Sequence, residues 1–390
     1  MSEYVKARTS DRAQNGTRNG DLPLVWVLQG HRAGDNLQVQ ALADGLGWPW
    51  QAKSLTWQEN WLKRLPRWTP FYGRSASLKT LTSQAQEAFA PPWPDIVLSV
   101  GWRSVPVARW IKAQSGARLV HLGRPRAPLD CFDLVFTTPQ YRLPLAKNVV
   151  HLTGPLTTLP PNAGSEDANA WEARLAHLPR PWIAVLVGGD TPTLKFPLSA
   201  AAALATSAND HAASCKGSLL VLTSPRTSKQ VTEVLQEAIQ APTFFQSYSR
   251  DDENPYAAFL ALADRFIVTN DSVSMTHEAA LTGRPLQIFR LTAQESMAKQ
   301  AHLGWDRKMR AADTVIGKTY LGLIRQGVIY PPKSPADYFD QLIENGHATY
   351  SGCPRDAVSD ASAIEPGNER AVKAVKAFFY PAGKAASGSS

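Results

Sequence analysis

The sequence predicts an α/β protein with two Rossmann-like domains that face each other across a cleft. Short apolar runs alternate with amphipathic segments twice, before and after a stretch at 154–167 that is rich in Pro, Thr, Gly and Asn. A glycine-containing loop follows the first apolar run of each half, as between strand and helix in a doubly wound domain. The chain has 390 residues, too many for one ordinary core and enough for two.

The first half contains aliphatic runs that predict buried parallel strands. The loop Gln29–Asn36 follows the first run, and apolar residues at helical spacing predict a helix over Leu37–Leu46 that stops at Gly47. Another helix is predicted over Val105–Ala113. The predicted strands of this half are Leu24–Leu28, Asp95–Val100, Arg118–Leu122, Leu134–Thr137 and Val149–Leu152.

The second half repeats the alternation and then changes composition. From Ser334 the chain is rich in Pro, Gly and Asp, and a short amphipathic helix near Arg370–Phe379 is expected to pack back on the body. We therefore divide the chain into a disordered tail at 1–21, an N-terminal domain at 22–160, a C-terminal domain at 161–333 and a tail at 334–390. The predicted strands of this half are Trp182–Val187, Ser218–Thr223, Thr243–Gln246, Arg265–Thr269 and Leu286–Phe289.

Composition is that of a soluble globular protein, for which we expect a cytoplasmic location. The net charge of +8 permits nucleotides, phospholipids or nucleic acid as partners without choosing among them. Three distant cysteines, Cys131, Cys215 and Cys353, predict neither a zinc site nor a disulfide framework. We find no apolar stretch long enough to span a bilayer, and the first twenty residues lack the apolar core of a secretory signal. An organelle-targeting segment is the alternative interpretation of those residues.

The segment at 265–289 carries the most specific chemistry. A predicted strand runs into the polar turn at 270–272, and a helix is predicted from about Val273 to Gly283. The unpaired N–H groups and positive end of such a helix suit a diphosphate, and the hydroxyls of Ser272 and Ser274 add donors there, beside Met275. Glu278 lies one turn further along and can accept from the two hydroxyls of a ribose. The alternative is a capped helix with an incidental surface glutamate.

The same segment resembles a known motif. The string S-x-x-x-E-x-x-x-x-G-x-P, from Ser274 to Pro285, is similar to the sugar-nucleotide motif of GT-B glycosyltransferases, among them the enzyme that makes the lipid-linked disaccharide of peptidoglycan. The chain resembles more closely the family of the plant mitochondrial-fission factor "elongated mitochondria", over roughly residues 24 to 332. The segments that carry this resemblance are Trp26–Gly47, Val185–Asp190, Leu222–Ser228 and Val268–Pro285. The resemblance implies a GT-B-like fold with a nucleotide-diphosphate donor in the C-terminal domain.

Two neighbouring loops fit the same donor site. Gly188 and Gly189 follow a predicted strand, so their backbone can approach a phosphate with no side chain in the way. Arg226 lies in the loop after the next strand and can form a forked contact with a diphosphate. The alternative is an ordinary strand-to-helix turn with a solvated arginine.

The loop after the first strand is the candidate for the acceptor side. Transfer of a glycosyl group needs a base for the acceptor hydroxyl, and Asp35 and His31 are the candidates. Arg32 can hold an acidic group, and Arg103 lies at another predicted strand end of the same domain. The glycines Gly30 and Gly34 complete the loop. No Asp-x-Asp motif accompanies these residues, so we expect no metal and no cofactor beyond the nucleotide-sugar substrate.

The stretch Trp57–Trp68, WQENWLKRLPRW, combines tryptophans with basic residues. Indole rings suit a membrane interface and basic side chains suit anionic headgroups, which predicts peripheral contact with the inner membrane face. The alternative is a buried amphipathic helix whose tryptophans belong to the core. The residues proposed to contact the membrane are Trp57, Trp61, Arg64, Arg67 and Trp68.

Two functions remain open after these observations. The first is a glycosyltransferase that moves a sugar from a nucleotide-diphosphate donor to an envelope or lipid-linked acceptor. The second is a non-catalytic interaction protein, which the resemblance to a mitochondrial-fission factor implies. The loop from Gly30 to Gly34, after the first predicted strand, is not the G-x-G-x-x-G fingerprint of the dinucleotide-dependent sugar epimerases. Nucleic-acid binding has only the net charge in its favour.

Overall fold

Two parallel sheets of six strands each organise the computed structural model. The structure describes residues 22–58, 74–157, 165–191, 194–249, 251–291, 297–352, 364 and 367–380. The elements up to residue 157 are β1 (Val25–Gln29), α1 (Ala33–Leu46), β2 (Trp50–Ser54), α2 (Ser83–Glu87), β3 (Ile96–Val100), α3 (Val105–Ser115), β4 (Arg118–Leu122), β5 (Leu134–Thr137) and β6 (Val149–His151).

The elements after residue 165 repeat the alternation of strand and helix. They are α4 (Glu166–Leu175), β7 (Trp182–Val187), α5 (Leu198–Cys215), β8 (Ser218–Thr223), α6 (Lys229–Ala238), β9 (Thr243–Gln246), α7 (Tyr256–Leu262), β10 (Arg265–Thr269), α8 (Val273–Leu281), β11 (Leu286–Phe289), α9 (Met297–Ala311), α10 (Val315–Arg325), α11 (Pro335–Glu344), β12 (Thr349–Tyr350) and α12 (Gly367–Phe379).

The described residues form two compact units. The N-terminal unit takes the described residues of 22–157 together with 301–334 and 367–380. The C-terminal unit takes those of 165–300 together with 335–352 and 364. The sequence instead predicts one domain at 161–333 and a tail at 334–390. The difference arises because contacts distant in sequence, which composition does not reveal, place 301–334 with the first sheet and α11 and β12 with the second.

The N-terminal sheet has the strand order β2-β1-β3-β4-β5-β6, with every pair parallel. The chain leaves β1 for one neighbour, β2, and later returns to the other side of β1 with β3. The strand order therefore reverses between β1 and β3, and ligands of open α/β sheets bind outside the carboxyl ends of strands at such a point. The loops that follow β1 and β3 begin at Gly30 and Gly101.

The C-terminal sheet has the order β12-β11-β10-β7-β8-β9, also parallel throughout. Read from β9, this is the strand order of the Rossmann fold. The reversal lies between β7 and β10, so the loops that begin at Gly188 and Asn270 flank it. Sheets, helices and strand orders together confirm the predicted α/β class with two Rossmann-like domains.

Most of the strands are rich in aliphatic residues because helices cover both faces of each sheet. All six residues of β7 and of β8 are buried. The α12 helix covers the N-terminal sheet beside α1, with Ala371 and Val375 fully buried in the same core cluster as Val39 and Leu42. The helix expected near Arg370–Phe379 is therefore present, and it begins at Gly367.

Several local predictions need correction. The helix α1 begins at Ala33, so Gly34, Asp35 and Asn36 lie in its first turn and not in a loop. Arg32 precedes the helix, and its side chain makes no capping hydrogen bond. The sequence therefore lacks the usual signal for the start of a helix. The stretch at 154–167 likewise ends earlier than predicted, because Ser165 caps α4 by accepting from the backbone N–H of Ala168. The tail predicted to be disordered, 1–21, lies outside the described residues.

Candidate functional site

Three loops follow strands β7, β8 and β10 of the C-terminal unit, at the edge where the carboxyl ends of these strands meet. They contain the predicted donor residues Gly188, Gly189, Arg226 and Ser272. The backbone N–H of Gly188 donates to Thr269 Oγ1 at 2.8 Å, and the Thr227 hydroxyl donates to the Gly188 carbonyl at 2.6 Å. The structure therefore joins the three loops, which lie up to 81 residues apart in sequence.

A buried carboxylate, Asp271, connects these loops. It accepts from the backbone N–H of Gly189 at 3.0 Å and from the Thr269 hydroxyl at 2.7 Å, and its Oδ2 lies 2.8 Å from Nη2 of Arg226. The Asp271 side chain has no solvent exposure, whereas that of Arg226 is 42% exposed. Burial raises the pKa of Asp271, against the lowering effects of Thr269 and Arg226. The sequence predicts a polar turn at Asp271 but does not indicate this role for its carboxylate.

The two glycines are required by the protein's own packing. A Cβ on Gly188 would lie 2.0 Å from Oδ1 of Asp271, and a Cβ on Gly189 would lie 2.0 Å from the Arg226 carbonyl oxygen. Neither distance is compatible with a side chain, so any other residue would displace the Asp271 network. The sequence predicts glycine here so that a phosphate can approach the backbone. The packing contacts are an additional reason why a residue with a side chain does not fit.

Helix α8 opens at this edge with its first turn incompletely bonded. The Ser272 hydroxyl accepts from the backbone N–H of Met275 at 3.4 Å, and the first bond within the helix runs from Thr276 to the Ser272 carbonyl. The N–H groups of Val273 and Ser274 therefore have no acceptor within the helix. Ser274 is exposed, whereas the Met275 side chain packs against the core. The helix end and Ser274 are thus available to an anion.

Glu278 is held in place from one turn further along α8. Its Oε2 accepts a short hydrogen bond from the Tyr256 hydroxyl at the start of α7. Burial and the neighbouring Glu278 carboxylate raise the pKa of Tyr256 well above its ordinary value. The opposite face of α8 is buried, and its His277 is hydrogen-bonded to the buried Tyr338 at 2.9 Å. Glu278 is therefore a positioned carboxylate and not an incidental surface residue.

The first loop of the N-terminal unit is closed by an amide. The Asn36 side chain accepts from the Gly30 N–H and donates to the Gly30 carbonyl, both at 2.9 Å. This pair fixes the turn between β1 and α1, with His31 and Arg32 exposed at its tip. A Cβ on Gly30 or on Gly34 would meet nothing within 4 Å, so neither glycine is required by packing.

Asp35 lies beside the loop that follows β3. Its Oδ2 is 3.6 Å from the position that a Cβ on Gly101 would take. Burial raises the pKa of Asp35, and the nearby Arg32, Lys333 and His31 oppose that effect. The pKa of His31 is lowered by burial, then by Arg103 and Arg32, with Asp35 raising it. The structure thus brings four predicted residues, His31, Arg32, Asp35 and Arg103, into one electrostatic group.

Two features named in the sequence have structural roles or lie outside the described residues. Trp57 is half-buried, packs against the core of the N-terminal unit and pairs with Leu81 in an isolated bridge. Trp61, Arg64, Arg67 and Trp68 lie outside the described residues. Within the part of the chain that the structure describes, no helix is long and apolar enough to cross a membrane. The same part contains no cluster of three His, Cys, Asp or Glu side chains suited to a metal ion.

Comparison with known proteins places both units in one family. The sequence model of the family described as "Mitochondrial fission ELM1" matches residues 33–313. The mitochondrial fission protein ELM1 of Arabidopsis thaliana is 27% identical over 237 residues, which cover 55% of this chain and 55% of the plant protein. An uncharacterized protein of Rickettsia prowazekii is 22% identical over 303 residues, covering 68% of this chain and 82% of that protein. The chain therefore spans about half the length of its plant relative.

Solved structures share the fold at low sequence identity. A putative UDP-N-acetylglucosamine 2-epimerase from Listeria monocytogenes has a TM-score of 0.50 at 12% identity, over 92% of this chain and 97% of that one. A UDP-glucosyltransferase from Polygonum tinctorium has a TM-score of 0.48 at 12% identity, over 92% and 98% of the two chains. The fold is shared with the putative epimerase and has two Rossmann-like domains, as the sequence predicts. With a family match that extends over well more than half of its length, this chain belongs to the mitochondrial fission ELM1 family.

Proposed function

We propose that the protein is a glycosyltransferase that moves a sugar from a nucleotide-diphosphate donor to an envelope or lipid-linked acceptor. The observation that carries this proposal is the site between β7 and β10. A diglycine turn, an arginine, an open helix end and a positioned carboxylate converge there, at the point of the sheet where α/β proteins bind nucleotides.

Each part of this site matches a part of the donor. The N–H groups that open α8 and the guanidinium of Arg226 suit the diphosphate, since one pairing with Asp271 leaves further N–H donors of the guanidinium available. Glu278 suits the two ribose hydroxyls, because a carboxylate accepts from both. The Ser272 and Ser274 hydroxyls add donors at the helix end. We expect no metal, because no Asp-x-Asp motif accompanies the candidate residues, so chelation with EDTA should leave nucleotide affinity unchanged.

The N-terminal unit supplies the base in this proposal. Asp35 takes the proton of the acceptor hydroxyl as that oxygen attacks the anomeric carbon, and the nucleoside diphosphate leaves with the bonding electrons. His31 is the second candidate, because a lowered pKa keeps its ring neutral and able to accept a proton near pH 7. Arg32 and Arg103 lie beside both and suit an acidic group of the acceptor. Peripheral contact through the stretch Trp57–Trp68 would bring this unit to a lipid-linked acceptor.

The test is equilibrium binding of a panel of UDP-, GDP-, ADP-, dTDP- and CMP-sugars, first by thermal shift and then by titration calorimetry. A ligand at a hundred times its Kd stabilises the folded state by about 2.7 kcal/mol, which such an assay detects. Glu278→Gln and Arg226→Gln should weaken the preferred nucleotide by roughly 1.5–3 kcal/mol each, since each removes a charge-assisted hydrogen bond.

Matched controls come from α6, where Lys229 and Glu233 form an exposed ion pair at 3.6 Å. Lys229→Gln and Glu233→Gln should leave affinity unchanged. Unchanged affinity in both site variants, with the folded state intact by circular dichroism, would contradict the placement of the donor.

A non-catalytic interaction protein is the alternative, favoured by the name of the plant relative, a mitochondrial fission protein. An adaptor of that kind has no need of a nucleotide. Absence of binding to every nucleotide-sugar of the panel would favour the adaptor, whereas binding that depends on Glu278 and Arg226 favours the enzyme. Neither proposal includes nucleic acid as a partner.

A further inference from the structure

Basic residues collect at the carboxyl edge of the N-terminal sheet beyond those identified in the sequence. Arg32 follows β1, Arg103 follows β3, and Arg124 and Arg126 both follow β4. Because β1, β3 and β4 are neighbours in the sheet, these arginines meet at one edge. Lys333, from the segment after α10, joins them. We call these five residues the basic cluster.

Aromatic rings link the members of the basic cluster. The guanidinium carbons of Arg126 and Arg103 lie 5.1 Å and 5.7 Å from the ring centroid of Trp102. The Lys333 Nζ lies 5.0 Å from the ring of Tyr141, which itself packs 3.3 Å from the position of a Cβ on Gly123. The rings hold the cations over their faces and limit the water around them.

The segment that carries Lys333 is anchored to the loop after β4. Arg124 donates a short hydrogen bond to the Pro331 carbonyl, and the Tyr330 hydroxyl donates to the Arg126 carbonyl at 3.1 Å. The backbone N–H of Ser334 donates to the Gln140 carbonyl at 2.9 Å. These contacts fix the position of Lys333 although its side chain keeps solvent exposure.

Like charges act on one another within the basic cluster. Asp35 is the carboxylate that acts on Lys333, whereas Arg124 and Arg32 act on the same ammonium with the opposite sign. The pKa of Lys333 is lowered first by partial desolvation of its ammonium group, although the residue keeps solvent exposure, and next by those two arginines. Burial and Arg126 likewise lower the pKa of Arg124, whose guanidinium stays protonated at neutral pH. The like charges of Arg32, Arg124 and Lys333, and of Arg126 and Arg124, repel one another, and a bound anion of more than one charge relieves that repulsion.

The composition of the basic cluster favours a phosphate over a carboxylate ligand. Four of its five members are arginines, whose planar guanidinium groups bind phosphate oxygens in pairs. The N-terminal end of α1, a helix of 14 residues without a side-chain cap, adds a positive dipole end beside Arg32. We propose that the basic cluster binds a phosphate or diphosphate group, and that the acceptor is a phosphorylated compound. The second clause rests on the proposed glycosyltransferase function, and the first does not.

Inorganic pyrophosphate is the probe for the anion site, titrated into the full chain by calorimetry. Arg32→Gln and Lys333→Gln should each weaken its binding by about tenfold to a hundredfold, since each removes one charge-assisted contact. Both side chains are exposed, so the variants should fold, and equal thermal unfolding would establish that. Lys147→Gln, an exposed lysine of the same unit, is the matched control and should bind as the wild type does.

Variants of the two units separate this proposal from the proposed function. Arg226→Gln should leave pyrophosphate affinity unchanged in the presence of saturating donor nucleotide, and Arg32→Gln and Lys333→Gln should leave nucleotide affinity unchanged. Pyrophosphate affinity that is insensitive to Arg32 and Lys333, or that is lost only in Arg226→Gln, would overturn the anion site. Failure of nucleotide binding alone would overturn the proposed function and leave the anion site standing.

The source of the phosphate is identified by competition. A polyprenyl diphosphate in detergent micelles and a soluble sugar 1-phosphate each compete with pyrophosphate at the wild-type site and at Lys147→Gln. Competition by either supports a phosphorylated acceptor and shows whether it is lipid-borne or soluble. Competition by neither would overturn the acceptor assignment.

Discussion

At the scale of single residues, Asp35 is the proposed base, and burial disfavours the ionised form of its carboxyl. Burial raises its pKa despite the cations around it. When the pKa of a carboxyl is higher in the folded than in the unfolded state, the protein has no stability penalty from it below the unfolded pKa. The protein loses stability as the pH rises through the folded pKa. Ionised Asp35 therefore destabilises the folded protein at neutral pH, as expected of a group retained for chemistry.

We predict that Asp35→Asn abolishes sugar transfer and raises the melting temperature at pH 7. The stabilisation should shrink as the pH falls toward the unfolded pKa of about 3.9, because the wild-type carboxyl is then protonated in both states. Thermal unfolding measured between pH 4 and pH 8 checks the trend. Asp44→Asn, on the exposed side of the same helix, is the control for the loss of an aspartate from α1. A pH-independent difference between Asp35→Asn and wild type would contradict the assignment.

Tyr256 is the residue that positions Glu278. Tyr256→Phe removes the hydrogen bond to a charged acceptor, and we expect a loss of roughly 1.5–3 kcal/mol in the free energy of unfolding. Nucleotide affinity should also fall, because Glu278 loses its fixed orientation. Tyr350→Phe is the control, since its hydroxyl donates to Asp340 at 2.9 Å in the same unit. Equal effects of the two variants on nucleotide affinity would show that Tyr256 has no positioning role.

At the scale of elements, a buried ion cluster attaches α9 and α10 to the N-terminal sheet. Asp306 on α9 has no solvent exposure and lies 3.1 Å from Nε of Arg142 and 2.9 Å from Nε of Arg310. The Tyr320 hydroxyl of α10 donates to the same carboxylate. Because the Arg142 side chain is only 8% exposed, removal of Asp306 breaks the ion pair of a largely desolvated cation.

Asp306→Ala should lower the free energy of unfolding by about 3–5 kcal/mol, the usual cost of breaking a buried ion pair from one side. Urea denaturation followed by circular dichroism measures it. Asp313→Ala is the matched control, because Asp313 is 90% exposed and its ion pair with Lys318 lies at the surface. That variant should lose less than about 1 kcal/mol. A similar loss in the two variants would show that Asp306 contributes only as a surface residue.

The elements that the sequence predicted well are those with a local signal. Strands β7 and β8 are mostly aliphatic and fully buried, since both of their faces are covered, and their bounds match the prediction. Strand β2 was missed because WQAKS is polar and partly exposed at the edge of its sheet. Strand β12 was missed because two residues carry no periodicity. In these cases tertiary pairing, and not local propensity, decides the structure.

The same distinction applies to the candidate sites. Ser272, Ser274 and Glu278 could be found because one helix carries them, and helical spacing is readable in sequence. Tyr256, 22 residues away, gave no such signal. Arg124 and Lys333 were likewise missed, because 209 residues separate them and only the fold brings their charges together. Sequence patterns thus identified the loops at strand ends but not their partners.

At the scale of the whole molecule, some basic residues are closely spaced in the sequence and others lie far apart. Lys63, Arg64 and Arg67 lie within Trp57–Trp68 in the sequence, outside the described residues, whereas the exposed Lys79, Lys147 and Lys308 lie far apart in the sequence. A net charge of +8 attracts any anionic surface, but only clustered charges bind strongly at one place. A variant that removes basic residues elsewhere separates the effect of the overall net charge from the effect of the basic residues in Trp57–Trp68.

We predict that the wild type co-sediments with vesicles containing anionic lipid and that Lys63/Arg64/Arg67→Ala does so much less. Each basic residue near an anionic surface contributes about 1 kcal/mol, so the triple variant should lose roughly 3 kcal/mol at low salt. Salt should weaken this part and leave any insertion of indole rings unaffected. Lys79/Lys147/Lys308→Ala removes three exposed lysines elsewhere and should pellet like the wild type. Equal pelleting of the two triple variants, or none of any protein, would exclude this stretch as a membrane contact and favour a soluble acceptor.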